Sequence, residues 1–223
     1  GVAEAHNLAW KLAAVIKGWG GPLLLESYQS ERLPVGRRNR DQAKVNGATI
    51  FEVQFDKPDY LLEQSTRGAL ARRKLGAAFE RRVSRLYESL GVEIGYLYRD
   101  SPVIVPDAAP SPVDDTCGYI PTTYSGARLP SAFFEDGRAV FDELAYDSFT
   151  LLVMSADLAW VRPFIDAAEK TGVPLHVVQV PDQHLQALYE KRLVLVRPDH
   201  HVAWRGDSLP FDCVNLFNIV RGA

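Results

Sequence analysis

The sequence predicts a mixed α+β and α/β protein, helical in its first part and built of alternating strands and helices in its last. Three observations predict this. Apolar residues recur at three- and four-residue steps up to about residue 100, a proline-rich stretch interrupts them, and short β-branched runs then alternate with helical spacing. The expected organisation is a helical region over 1–100, a connector over 101–130 and a strand-and-helix domain over 131–223.

Each element has its own signal. Ala5, Leu8, Ala9, Leu12, Val15 and Ile16 form one apolar face of a first helix, which Gly18 can end in the left-handed conformation. A second helix follows from Leu24. Pro34 is placed to open a third segment through Asn39, Ala43, Val45 and Ile50, and Asp56-Lys-Pro-Asp59 makes a break. Arg67 to Leu90 predicts a long helix, apolar at Leu75, Phe79, Val83, Leu86 and Leu90, basic at Arg72, Arg73, Arg81, Arg82 and Arg85, and closed by Gly91. The connector holds Pro102, Pro106, Pro110, Pro112, Pro121 and Pro130, with short strands expected at Tyr96–Tyr98 and Val103–Val105. Beyond it the pattern gives strand 149–154, helix 160–171 ending at Gly172, strand 175–180, helix 183–189, strands 193–196 and 202–205, and a last helix over 211–221. A strand-helix-strand unit, then a hairpin and a closing helix, is thioredoxin-like order.

Composition narrows the function classes. With 223 residues, 47% hydrophobic and 24% charged, the chain can bury one sizeable core or two small ones. A formal charge of −3 gives no general drive toward nucleic acid or anionic lipid, and no apolar run approaches the roughly 20 residues that span a bilayer. The arginine-rich helix is interleaved with Glu80 and Glu88 and lacks an aromatic stacking platform, which favours a solvated face or a homo-oligomeric contact over nucleic acid or membrane. Cys117 and Cys213 are far apart, a usage that suits a reducing cytoplasm. The chain opens without an initiator methionine or a signal-peptide core, as if a longer protein preceded it.

No constellation within the chain announces its own chemistry. His200 and His201 are adjacent, with Asp199 beside them, but they fall at an expected strand-turn-strand tip, and no metal site is expected. His6, His176 and His184 have no nucleophile motif around them, so no catalytic residue is assigned. Where thioredoxins keep their Cys-x-x-Cys, this chain has Ser155-Ala-Asp-Leu-Ala-Trp160, which offers no thiolate. Glu31 and Arg32 favour packing and pairing between helices over a charge-network role with Arg37 and Arg38, and Lys11 a salt-bridged or solvated structural residue. Phe51, Tyr60, Tyr96 and Tyr98 fit either a core or a substrate-facing surface.

Two stretches carry a resemblance. The first holds Gly1, Ala5, Asn7, Leu8, Trp10, Lys11 and Leu12, then Leu24, Leu25, Ser27, Tyr28, Glu31, Arg32 and Pro34. It resembles the segment after the second flavin-binding motif of FAD-dependent aromatic hydroxylases of the phenol hydroxylase type, with Glu4 where Asp is usual. The second holds Gly126-Ala-Arg-Leu-Pro130, Phe134-Glu-Asp-Gly-Arg138 and Leu195-Val-Arg-Pro-Asp-His-His-Val-Ala-Trp-Arg-Gly206, similar to phrases in the thioredoxin-like domain that ends members of that family.

The resemblance implies an N-terminal helical segment belonging to a flavin domain, followed by a thioredoxin-like domain without Cys-x-x-Cys. It implies, for a complete protein, hydroxylation of a phenolic small molecule with FAD, NAD(P)H and dioxygen. The Gly-x-Gly-x-x-Gly loop that would seat the FAD pyrophosphate does not occur in this chain, which is expected to be a carboxy-terminal portion inactive by itself. By the same resemblance Gly1 and Val2 lie at the positive end of a helix near the flavin, and Asn7 braces the flavin loop. A second reading, a non-catalytic thioredoxin-like binding or oligomerisation module, stays open.

Overall fold

A computed structural model describes residues 1–55 and 57–223. Asp56, the first residue of the expected break, lies outside the described residues. The chain forms two compact units: Gly1–Pro34 with Leu97–Val113 and Ile120–Ala223, and Val35–Tyr96 with Asp114–Tyr119. These limits differ from 1–100, 101–130 and 131–223, because the first helix and the start of the second pack with the sheet. Among the described residues, no helix is long and apolar enough to cross a membrane.

The first unit is built on a four-stranded mixed sheet of β1 (Phe149–Val153), β2 (Leu175–Gln179), β3 (Leu193–Val196) and β4 (Val202–Gly206), in the order β2-β1-β3-β4. β1 and β2 are parallel, with Leu151 opposite Val177, while β3 runs antiparallel to both β1 and β4. Every residue of β1 and β3 is buried, so both central strands appear in the sequence as unbroken apolar runs. Phe149, Leu151, Val153, Leu193 and Leu195 meet one core, which also takes Phe164, Phe217 and Val220. Leu152, Val194 and Val196 meet the other, with Leu185, Tyr189 and Phe134.

Helices cover both faces. α5 (Arg162–Thr171) and α7 (Cys213–Val220) lie on the first, where Phe164 stands 4.8 Å from Phe217 and 5.7 Å from Trp204 between ring centroids. α6 (Gln183–Tyr189) lies on the second. Gly172, at φ 71°, ends α5 with Val173 N–H bonded to Ala168 C=O, as its position predicts. The expected strands at 96–98 and 103–105 do not form. Leu97 makes an isolated bridge to Ala127, and Val105 gives one hydrogen bond to Ala203 of β4.

α1 (Val2–Ile16) ends as expected at Gly18, φ 82°, with Trp19 N–H bonded to Ala14 C=O. Its buried face is not the apolar one. Asn7, Trp10, Lys11 and Ala14 are buried, while Leu12, Val15 and Ile16 are exposed, Ile16 by 84%. The reason is the partner: the chain sets carboxylates and an arginine against this helix, and Trp10 and Trp19 pack on Phe149 beside them. Leu12, Val15, Ile16 and Leu23 are thus an uncovered apolar surface. Replacing Leu12 and Ile16 together by lysine is expected to lower binding of a hydrophobic dye while leaving the urea midpoint almost unchanged. An unaltered dye signal would refute the assignment of this surface.

α2 (Pro22–Phe55) is one continuous helix, so Pro34 opens no new segment. Pro34 forgoes one backbone hydrogen bond within α2, and the boundary between the two units falls at this residue. In the second unit α3 (Thr66–Val83) is capped by Ser65, whose hydroxyl accepts from Gly68 N–H at 3.2 Å. It stops earlier than the expected Leu90. A 3-10 turn at Ser84–Leu86 follows, then the short α4 (Leu90–Glu93), which contains Gly91 rather than ending at it. An added Cβ on Gly91 would stand 1.9 Å from Asp115 O, so only glycine fits that approach.

Candidate functional site

The most highly ordered polar feature of the first unit is a group of charges with almost no solvent contact. Glu31 on α2 holds Lys11 of α1 at 2.7 Å and takes both arms of Arg197, at 2.6 and 2.9 Å. Arg197 also grips Asp199 with Nε at 3.0 Å and Nη2 at 2.6 Å. Asn7 of α1 bridges the two acids, its Nδ2 donating to Glu31 at 2.7 Å and to Asp199 at 2.9 Å. Ser27 Oγ accepts from Lys11, and Ser101 Oγ donates to Glu31 at 2.6 Å. Two carboxylates face two cations, which is how such charges are tolerated away from water.

Local structure places each group. Lys11 and Asn7 are four residues apart on one face of α1, and Ser27 and Glu31 four apart on α2. Arg197 and Asp199 sit in the tight β3–β4 hairpin, where Pro198 occupies a turn closed by His200 N–H to Arg197 C=O at 2.9 Å. His200 takes φ 65°, and the register shifts between Leu195 and Val196. Tyr98 flanks the group, accepting from Arg32 at 3.0 Å and stacking on His201 at 4.2 Å.

Charge balance sets the acid–base behaviour. Burial by itself would raise the Glu31 carboxyl, but Arg197 and then Lys11 override it and hold it at about 2. Asp199 is likewise pulled well below its ordinary value, with Arg197 outweighing burial. Burial, and next the Arg197 charge, lower Lys11 to about 8 against the pull of Glu31. Burial also lowers His200 to about 4, and His6 and Arg128 act the same way. All three of Glu31, Asp199 and His200 have folded values below their unfolded ones, so each contributes stability at neutral pH that is lost on acidification. Stability measured by denaturant is therefore expected to fall first between about pH 6.5 and 4, from His200, and more steeply from about pH 4.5 toward 2, from the carboxylates. A chain equally stable at pH 7 and pH 3 would contradict the buried pairing.

The residues expected at a flavin separate here. Asn7 is fully buried in the charge group, with Oδ1 left without a partner, whereas Gly1 and Val2 lie exposed at the start of α1. Gly1 caps the helix without a side-chain bond, and an added Cβ there would meet nothing within 4 Å. The first intrahelical bond runs from Ala5 N–H to Gly1 C=O, so the amides of residues 2–4 point out of the helix start. That end suits an anionic or electron-rich group.

Other expectations resolve plainly. Glu31 and Arg32 pair between helices, with Lys11 and Glu4 of α1, rather than forming a network with Arg37 and Arg38; Arg38 bonds Asp114 within the second unit. Tyr96 and Tyr98 are buried, and Phe51 and Tyr60 exposed. His200 and His201 form the expected turn. Among the described residues, only Glu135, Asp182 and His184 bring three such ligand atoms within 4.8 Å, and Asp182 already accepts Glu135 N–H while His184 Nε2 meets Phe133 O at 2.9 Å. Cys213 is raised by burial and is 3.6 Å from Pro210 O, the opposite of an activated thiol.

Residues 122–216 match the aromatic-ring hydroxylase C-terminal family, and residues 1–43 match the FAD binding domain family. Both matched stretches are similar to the carboxy-terminal region of FAD-dependent aromatic-ring hydroxylases. It is 34% identical to the FAD-dependent monooxygenase apdD of Emericella nidulans, over 94% of this chain and 35% of that one. It is 30% identical to phenol 2-monooxygenase of a Pseudomonas species, over 99% of this chain and 41% of that one. The structure of the rebeccamycin biosynthetic enzyme RebC with reduced flavin superposes with a TM-score of 0.89 at 34% identity, covering 100% of this chain and 41% of that one. The chain thus spans well under half the length of these relatives. Asn7, Lys11 and Glu31 come from the segment that matches the FAD binding domain, Arg197 and Asp199 from the hydroxylase C-terminal segment, and the buried charges join the two.

Proposed function

We propose that this chain is the carboxy-terminal part of an FAD-dependent monooxygenase that hydroxylates a phenolic ring with NAD(P)H and dioxygen, and that by itself it is inactive. The observation that carries the reading is the buried joint between the two matched segments, which ties Gly1–Pro34 of the FAD-binding match to the hydroxylase C-terminal match within one compact unit. FAD, when bound, would take two electrons from NAD(P)H and supply the activation of dioxygen. The residues present contribute position and field: Gly1 and Val2 offer the positive end of α1 to the ring, and Asn7 braces that helix from behind. Uncovered Leu12, Val15 and Ile16 supply an apolar seat for the remainder of the flavin domain, which helps exclude water.

Residues 131–223 are read as a thioredoxin-like domain that serves assembly. The strand order β2-β1-β3-β4 with β3 antiparallel, and the absence of cysteine between Ser155 and Trp160, support that reading. A homo-oligomeric contact through the arginine-rich α3 and a cytoplasmic location complete it.

The full-length protein is expected to carry visible flavin bands and to consume NADH or NADPH when a phenol is added, with a hydroxylated product by mass. The 223-residue chain is expected to be colourless. A colourless full-length protein that oxidises no reduced nicotinamide would overturn the proposal.

A further inference from the structure

We propose that Arg197 and Asp199, in the β3–β4 hairpin, are positioning residues that fix α1 through Asn7 and so set where the start of that helix meets the flavin. This rests on the reading of the helix start given above. Among residues 1–9 Asn7 alone is buried, so it is the buried anchor of the first half of α1, where Glu4 also bonds Arg32 of α2 and His6 stands 4.9 Å from His200 between ring centroids. Both donors of its amide are committed to acids from different elements, Glu31 at 2.7 Å and Asp199 at 2.9 Å. Neither acid is free to follow a displaced helix. Arg197 holds each of them with two hydrogen bonds between 2.6 and 3.0 Å, and its guanidinium also lies 5.1 Å from the Trp10 ring centroid, one turn along the same face.

The other buried residues of α1, Trp10, Lys11 and Ala14, grip its later turns. Ala14 is buried and its carbonyl accepts from Trp19 and Gly20, while Ala5, His6, Ala9 and Leu12 are exposed. Releasing Asn7 therefore leaves the first two turns on the partly exposed contacts of Glu4 and His6 without dislodging the last. With a rise of about 1.5 Å per residue, the amides of residues 2–4 lie roughly 5–8 Å from Asn7 along the axis, so a slip at Asn7 is transmitted directly to them. A misplacement of about 1 Å is enough to disturb a reacting geometry.

Hydrogen exchange on the 223-residue chain and FAD titration of the full-length protein test this. Asp199→Asn keeps the side-chain shape and removes one acceptor charge. It is expected to speed exchange over residues 2–9 at least tenfold, leave β1 protected as before, and weaken FAD binding at least tenfold. Folded Asp199→Asn protein with wild-type exchange over residues 2–9 and wild-type FAD affinity overturns the proposal. If Asp199→Asn does not accumulate as folded protein, Asn7→Ser and Arg197→Lys carry the same test: the first removes only the anchor on α1, the second keeps the charge but loses the paired bonds. Each should shift both readouts in the same direction, Arg197→Lys less, and wild-type behaviour in both variants overturns the idea. A wild-type full-length protein that binds no FAD would defeat the proposed function instead, and the exchange result would still decide whether the hairpin fixes α1.

Discussion

Replacing Glu31 with alanine is expected to destabilise the first unit by about 3–5 kcal/mol, the cost of stranding a buried charge. The size follows from what remains. Lys11 and Arg197 are both fully buried in side-chain exposure, and Glu31 bonds both. Asp199 still holds Arg197, but Lys11 keeps only Ser27 Oγ at 2.7 Å. Lys11→Met should cost distinctly less, because Glu31 would retain Arg197, Asn7 and Ser101, and methionine fills much of the lysine volume without needing water. All four tryptophans lie in the first unit, so urea denaturation followed by tryptophan fluorescence reports that unit. A loss below about 1 kcal/mol for Glu31→Ala would mean that water reaches the site and the pairing is far weaker than its geometry indicates.

Phe164→Ala is expected to cost a similar amount, about 3–5 kcal/mol, for a different reason. Phe164 has no exposure and stands between Phe217 of α7 and Trp204 of β4, so its ring joins two helices to the sheet. Truncation removes that surface and leaves a cavity that close-packed neighbours cannot fill. The same fluorescence measurement should show the loss, together with a changed Trp204 environment. Phe211→Ala is the matched control, since Phe211 is fully exposed and should alter stability by no more than about 0.5 kcal/mol. Equal effects from the two substitutions would place the core elsewhere.

Most of the sheet was legible because its signals are local. The runs at 193–196 and 183–189, and the left-handed glycines at 18 and 172, follow from apolar runs and helix-stop chemistry that neighbours do not override. Helix α1 was misjudged at the level of its face. Hydrophobic spacing selects Leu12, Val15 and Ile16, but the buried stripe holds Asn7 and Lys11, whose partners are supplied by distant parts of the chain. Pro34 failed as a helix start for a related reason, since a long helix can carry one missing bond when the residues around it pack. Arg197 and Asp199 did have a signal: two charges flanking Pro198 directly after four buried strand residues. What the sequence could not supply was the identity of their partners.

Asn7 and Asp199 are 192 residues apart, and that separation has a consequence for biosynthesis. At about 5–20 residues per second, a ribosome needs roughly 10–40 s to make the hairpin after α1 has been translated. During that interval Lys11, Asn7 and Glu31 have no Arg197 or Asp199 to meet, and the helix pair lacks the strand on which Trp10 and Trp19 pack. The first two helices of the nascent chain must therefore wait, unclosed, for almost the last strand of the domain to leave the ribosome. Early termination anywhere before residue 197 would release a polypeptide whose Glu31 has Lys11 but never meets Arg197, a ready substrate for chaperones and proteases.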